Sequence, residues 1–382
     1  MRTRKSFTIA AFVALTVPLL ALADPRYTVT PIAPAGSWAS DINAYGQVAG
    51  TMLVPGGSHA FLFSDGTLTD IGTLGGSMSE AARMNDLGQV VGRSATADAS
   101  LAPFIYSGGT IAQVQGPNLR DVVGINNAGA VTGTAWIPDA GDGGEWHAYI
   151  LAGGTFTDLG TVPSVGIRYS YGTDINDAGH VVGYGSPADG GGPPNWPSNP
   201  ILYRNGVMTD LGNDGFAEGE TSYATAINAT DQVVGTVVNF HLSEPYFYYG
   251  QAFLYQDGKL ARLGSFGPDL WSWAGDVNNL GQVVGRGELG AGTHGFLYEH
   301  GLFTDLNTLI DPATGWVVED ATGINDLGQV AGRACKDGQC YAVRLDLVSA
   351  VPAPQQAATL AAGCGLLALA SLLRRPARRR RG

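Results

Sequence analysis

Two residue types capable of acid–base chemistry recur along this chain. His59, His147 and His294 share one position of a repeating phrase, and Asp70, Asp158, Asp210 and Asp305 share another, Thr-Asp-Leu or Thr-Asp-Ile. A third set, Asp41, Asp174 and Asp276, precedes Ile-Asn or Val-Asn. Imidazole and carboxylate are the usual equipment of general acid–base catalysis. A residue that returns because its unit returns is, however, most simply a packing or strand-pairing residue, and carboxylates near turns commonly accept backbone N–H groups. No Gly-x-Ser-x-Gly, His-Glu-x-x-His or phosphate-cradling loop is present. Residues 139–145 are acidic and Gly-rich but lack the alternation of a calcium loop. The sequence therefore assigns no catalytic residue, no metal ligand and no cofactor, with calcium at 139–145 the one cation weighed.

The elements that hold these residues form an internal repeat. Asp41-Ile-Asn-Ala-Tyr-Gly-Gln-Val-Ala-Gly50 returns as Arg83-Met-Asn-Asp-Leu-Gly-Gln-Val-Val-Gly92, and again around Asn126, Asn176, Asn228, Asn278 and Asn325. Each copy is followed by a short apolar strand such as His59-Ala-Phe-Leu-Phe63 or His294-Gly-Phe-Leu-Tyr298. In six copies a Gly turn then leads to a fourth segment such as Phe156-Thr-Asp-Leu-Gly160. Period-two strands separated by Asn- and Gly-bearing turns make each unit four short β-strands, and no stretch between the two ends has a helical period. Four strands in ~45 residues is the size of a propeller blade. The seventh unit stops after its third strand, while Tyr27-Thr-Val-Thr-Pro-Ile32 is a spare strand before the first unit. The expected fold is all-β: a seven-bladed β-propeller of four-stranded blades, the last closed by the N-terminal strand. A parallel β-helix is the rival, with no need for a missing strand to match a spare one.

The two ends read as addresses. Met1-Arg-Thr-Arg-Lys5, an uncharged run to Leu22 and Ala21-Leu22-Ala23 form a signal peptide over 1–23. At the other end Val351-Pro-Ala-Pro354 precedes the uncharged segment 357–373, which spans about 25 Å as a helix, and six arginines follow. The domain between, 24–349, is placed outside the inner membrane, secreted or on the cell surface, held transiently or permanently by 357–373. Nine of the 21 basic residues and no acidic residue lie in the ends, which leaves 33 acidic against 12 basic groups, a net charge of −21. Such a surface argues against nucleic acid and against an anionic membrane face as partners. Cys335 and Cys340 flank Lys-Asp-Gly-Gln, a hairpin turn in an oxidising compartment, and read as a disulfide. A two-cysteine metal site would lack further ligands nearby.

Two resemblances sharpen this reading. The tail resembles the PEP-CTERM sorting signals of Gram-negative bacteria, with Ala353 where that signature has Glu, and implies an exosortase-like sorting enzyme as a partner. The His-Ala-Phe segment, the Ile-Asn-x-x-Gly-Gln-Val-x-Gly phrase and the stretch Thr69 to Gly76 together resemble the HAF repeat of extracellular bacterial proteins, across nearly all of Tyr27 to Leu347. That resemblance implies location and repeat and carries no activity.

Function is then sought where the repeat fails. The joins between second and third strands lengthen in units three, four and five, and the links between units carry further aromatics. In a propeller both kinds of connection emerge on one face, and loops on a rigid scaffold are the default binding site. The residues assigned to that face are Trp146, Tyr169, Tyr171, Trp196, Tyr246, Tyr248, Trp271, Asp142, Asp189, Glu220 and Asp269. Trp38 and Trp273, which share a repeat position after Ser, are read as scaffold. Aromatic rings beside acidic acceptors suit an extracellular glycan, with a protein the other class of partner. The leading reading is a non-enzymatic surface or matrix propeller that binds an exopolysaccharide. The alternatives are a glycan-cleaving lyase or hydrolase and a purely structural matrix protein.

Overall fold

The computed structural model describes residues 26–138, 143–187, 198–212, 221–241, 247–290 and 292–348, with the side chains of 239–249 left aside. The signal-peptide and sorting-tail readings lie outside these residues, as do Asp142, Asp189, Trp196, Glu220 and Tyr246. Among the described residues no helix is long and apolar enough to cross a membrane.

Seven four-stranded antiparallel units follow one another along the chain. Blade 1 runs Trp38–Ile42, Val48–Val54, Gly57–Ser64 and Thr67–Gly72, and blade 2 begins with Gly75–Met84. One parallel bridge, Ser58 to Met78, joins these two. The innermost strands of blades 3 to 6 are Gly124–Ile125, Tyr169–Ile175, Thr221–Ile227 and Ser272–Val277. Blade 7 holds Val317–Ile324, Val330–Lys336 and Gln339–Leu347 from the chain's end, and its outer strand is Tyr27–Pro31, paired antiparallel with Tyr27 opposite Leu347. The spare strand and the missing strand are thus the same strand. Cys335 and Cys340 face each other at the tip of this blade and are joined by a disulfide.

The recurring motifs explain the packing. In the Gln-Val-x-Gly strand the valines are buried, Val48, Val90, Val233, Val283 and Val330 with no exposed surface at all. The glycine that follows sits directly opposite the aromatic of the His-Ala-Phe strand: Gly50 faces Phe61, Gly92 faces Phe104 and Gly285 faces Phe296. A Cβ at Gly50 would strike both the Trp38 carbonyl and the Phe61 ring, so only glycine lets that ring lie flat across the sheet. Successive blades are clasped by serines. The Ser79, Ser170 and Ser272 hydroxyls each accept the amide of Ala60, Ala148 or Ala252 in the preceding blade, and donate to the carbonyl of Gly72, Gly160 or Gly264. Ser37 accepts from Ala342, so the same clasp joins blade 7 to blade 1.

Candidate functional site

The innermost strands surround a channel whose two mouths are built differently. At the turn-face mouth stand the seven repeat asparagines. Each Oδ1 accepts two amides of its own turn, as Asn43 does from Tyr45 and Gln47. Each Nδ2 donates to the asparagine carbonyl of the next blade, from Asn43 to Asn85 at 3.2 Å, on through Asn126, Asn176, Asn228 and Asn278 to Asn325, and from Asn325 back to Asn43 at 3.0 Å. This ring closes without a gap.

Two residues inward lies a ring of Asp41, Arg83, Gly124, Asp174, Ala226, Asp276 and Gly323. Each aspartate spans two blades: Asp41 accepts from Ile42 and Met84, Asp174 from Ile175 and Ile227, Asp276 from Val277 and Ile324. Burial drives the Asp41 carboxyl up to about 7 and that of Asp174 to about 6, against the opposing pull of Arg83. Burial pulls the Arg83 guanidinium down, and Asp174, Asp41 and Asp276 outweigh it and raise it. Arg83 reaches from blade 2 across the channel to the Thr225 carbonyl of blade 5, 3.1 Å away. It stands between a turn-face chamber of about 270 Å³ and a loop-face chamber of about 530 Å³, and among the described residues it alone lines both.

Toward the loop face, five residues before each asparagine, stand Trp38, Glu80, Asp121, Tyr171, Tyr223, Trp273 and Asp320, of which Tyr223, Trp273 and Asp320 line the loop-face chamber. Opposite six of them on the second strand stand Thr51, Arg93, Tyr184, Thr236, Arg286 and Arg333, and Asp121 accepts the amide of Thr134. No two neighbouring blades present the same pair, although the strands beneath them superpose in register. Trp273 meets Tyr223 and Trp271 edge-on at 6.2 Å each, and the Arg286 guanidinium lies 5.6 Å from its ring. Arg286 also donates to Asp320 of the next blade at 3.0 Å. Burial raises the Asp320 and Asp121 carboxyls, while Arg286 works against it at Asp320, and burial pushes the Tyr184 phenol up to about 12. The larger chamber is walled by Tyr184, Tyr223, Trp273, Arg286 and Asp320, with Arg83 on its floor.

The residues assigned from sequence to the loop face divide into groups. Tyr171 is 4% exposed and stacks on Tyr184 at 4.6 Å, and Tyr169 is buried, so these two rings pack inside the blade and offer no open face. Trp146 is half-buried opposite Trp136, their centroids 5.0 Å apart, with Arg120 over its ring. The long join of unit three is largely strand, Val131–Pro138 and Gly144–Ala152, which lifts these tryptophans on a tall hairpin. Tyr248 likewise falls within the strand Phe247–Gln256. Trp271 is half-buried against Trp273, and Asp269 is exposed in a turn at φ 64°. Sequence reasoning missed Arg83, Tyr184, Arg286 and Asp320, and it gave Trp273 to the scaffold. Aligning the seven units on asparagine and reading the positions where residue type changes would have found them.

The recurring histidines and aspartates are bonded to each other across the third and fourth strands. His59 meets Asp70 at 2.9 Å, His147 meets Asp158 at 2.8 Å, and His294 meets Asp305 at 2.8 Å, while Asn199 takes the histidine's place beside Asp210. They lie on the outer strands, away from the channel. Among the described residues the one trio of acidic, Cys or His side chains close enough to converge on a cation is Glu319, Cys335 and Cys340, and its sulfurs are committed to the disulfide.

With this geometry in view, the likenesses to other proteins are confined to fold. The chain matches the family model "Protein of unknown function (DUF3466)" over residues 218–352, the last three blades. No curated protein matches it. Among solved structures it is similar to the β-propeller domain of the Trilobed protease from Pyrococcus furiosus, at 9% identity and a TM-score of 0.50, covering 85% of this chain and 99% of that one. It is also similar to the Pyrococcus horikoshii acylaminoacyl peptidase, at 11% identity and a TM-score of 0.50, covering 80% of this chain and 52% of that one. These likenesses establish a β-propeller. The Pyrococcus furiosus domain is described as having an open velcro topology, whereas here the first and last described strands pair in blade 7.

Proposed function

We propose that this chain is an exported surface or extracellular-matrix propeller that binds a glycan, such as an exopolysaccharide, through its loop face and catalyses no reaction. The supporting observation is the loop-face ring. At one repeat position a propeller of nearly uniform strands carries two tryptophans, two tyrosines and three carboxylates, with arginine or hydroxyl partners opposite most of them. Tyr171 is buried under Tyr184, and Tyr223, Trp273 and Asp320 line the chamber. Aromatic faces receive the C–H side of a sugar, and paired charges exchange hydrogen bonds with its hydroxyls. Export rests on the basic-apolar leader at 1–23, and tethering on the uncharged segment 357–373 with its arginines. Calorimetric titration of the full chain with the exopolysaccharide of the producing cells should give saturable binding, about tenfold weaker in Trp273→Ala, the scale of one stacking contact. An absence of binding to that polymer would sink the reading.

A second reading is a glycan-cleaving enzyme. The specific observation behind it is Asp320, whose carboxyl is raised by burial on the chamber wall, as a general acid requires. New reducing ends or unsaturated products on prolonged incubation with the same polymer would move the assignment to that class.

A further inference from the structure

The loop-face chamber has the Arg83 side chain at its inner end. Its volume falls within the ~300–1,000 Å³ of small-ligand sites, and Arg83, held across the channel to Thr225, stands between it and the turn-face chamber. A polymer that enters from the loop face meets the Arg83 side chain before the turn-face chamber, so a chain end suits the chamber better than a threaded stretch. Charge and hydrogen-bond chemistry then say what kind of end fits.

On the chamber floor the hydroxyls of Ser40, Thr173, Thr225 and Thr322 each donate to a carbonyl of the next blade, Ala81, Ala224, Ala274 or Ala39. Their protons are spent, so they can face a ligand only as acceptors. Asp320 adds carboxylate acceptors on the wall. Arg286 and Arg83 supply the donors, and the three aspartates around Arg83 give each of their bonded oxygens to backbone amides. Arg83 already faces Asp174, Asp41 and Asp276, and Arg286 is bonded to Asp320, so both cations are matched without a ligand anion, whereas a neutral group rich in hydroxyl donors meets acceptors on the floor and both roles at the wall. Tyr184, Tyr223 and Trp273, from three successive blades, place the aromatic surface on one side only. One flat apolar face and one hydroxylated edge describe a pyranose ring.

We propose that the chamber holds the terminal sugar of a neutral glycan, end-on, with its C–H face toward Trp273 and its hydroxyls toward Asp320 and Arg286. This rests on the glycan-binding reading above and adds that chain ends, rather than internal stretches, are recognised. The test uses the full chain and the exopolysaccharide secreted by the producing cells, intact and after partial acid hydrolysis that multiplies chain ends at constant mass. If ends are bound, a tenfold rise in ends per mass lowers the half-saturating mass concentration about tenfold. The fragments should bind about tenfold more weakly to Asp320→Asn and to Trp273→Ala, with most of the affinity kept in Trp273→Phe. An unchanged half-saturating mass concentration after hydrolysis overturns end-on recognition and leaves glycan binding standing. No binding of either preparation overturns both. The hydrolysis comparison needs only the unmodified chain, so it stands whether or not a variant folds.

Discussion

The two mouths of one channel are made from the same seven strands, yet one is uniform and the other is not. At the turn face all seven blades present asparagine, and its seven Nδ2 donations form a closed ring. At the loop face, five residues earlier on the same strands, the residue types are Trp, Glu, Asp, Tyr, Tyr, Trp and Asp. Uniformity marks the position that closes the ring, because each blade must offer its neighbour the same bond. Variation marks the position freed from that duty. The aspartate and hydroxyl rings between them are intermediate: aspartate gives way to Arg83, Gly124, Ala226 and Gly323, and the hydroxyls to Ala82, Val123 and Gly275, with glycine where the next blade comes closest. At Gly323 a Cβ would lie 3.1 Å from the Ile42 amide nitrogen.

The sharpest way to break this comparison is to remove one turn-face asparagine. Asn126 is buried, accepts the amides of Ala128 and Ala130, and donates to the Asn176 carbonyl. In Asn126→Ala those partners lose three hydrogen bonds in a buried setting, a loss of about 3 kcal/mol at roughly 1 kcal/mol each. A urea titration followed by tryptophan fluorescence should show it, while glycan affinity of the folded fraction stays within about twofold. Affinity that collapses with stability intact would mean the turn face, too, takes part in recognition.

How much of this was legible in sequence follows the same division. The fold was readable, because the Asn turn, the Gly opposite Phe and the spare Tyr27 strand are each local chemistry repeated in fixed order. The ring of asparagine bonds was only half readable: the turn could be assigned from Asn-x-x-Gly, but the donation to the next blade exists only once the blades are side by side. The candidate site was read least well. Attention to long loops selected Tyr169 and Tyr171, which the fold buries, and passed over Tyr184, Arg286 and Asp320, which sit in ordinary strands. A strand residue joins the site only through its place in the ring: Asp320 shares a position with Trp38 and Trp273, whose repetition argued for scaffold, and Tyr184 and Arg286 stand opposite that position on the second strand.

The middle of the channel gives a pH-dependent version of the comparison. Burial raises the Asp41 carboxyl from 3.8 to about 7 and that of Asp174 to about 6. A carboxyl with a raised folded value binds its proton more tightly in the folded chain than in the unfolded one. Its favourable contribution is complete below the unfolded value and is lost as pH rises through the folded one. Thermal melts should therefore show stability falling between about pH 4 and 7 on account of these two groups. Asp41→Asn should flatten that fall while keeping one acceptor for the Ile42 or Met84 amide. A slope unchanged in the variant would place the titration elsewhere.

The smallest expected effect lies on the outer strands, where His147 and Asp158 bond each other. Burial lowers the His147 imidazole, but Asp158 and Glu145 outweigh it and the net direction is upward; burial likewise raises Asp158, and His147 with the Gly160 amide brings it below its ordinary value. The histidine's contribution is complete below about 6.5 and disappears as pH rises through its folded value. The aspartate's is present above 3.8 and disappears as pH falls through its folded value. The pair thus stabilises across the mildly acidic range, by less than about 1 kcal/mol for a partly solvated ion pair. His147→Gln should lose that increment near pH 5.5 and lose much less near pH 9, read as the difference between two urea midpoints. Glycan affinity should not change at either pH. A binding defect in this variant would return the recurrent histidine to the functional residues, and the line between repeated scaffold and variable site would have to be redrawn.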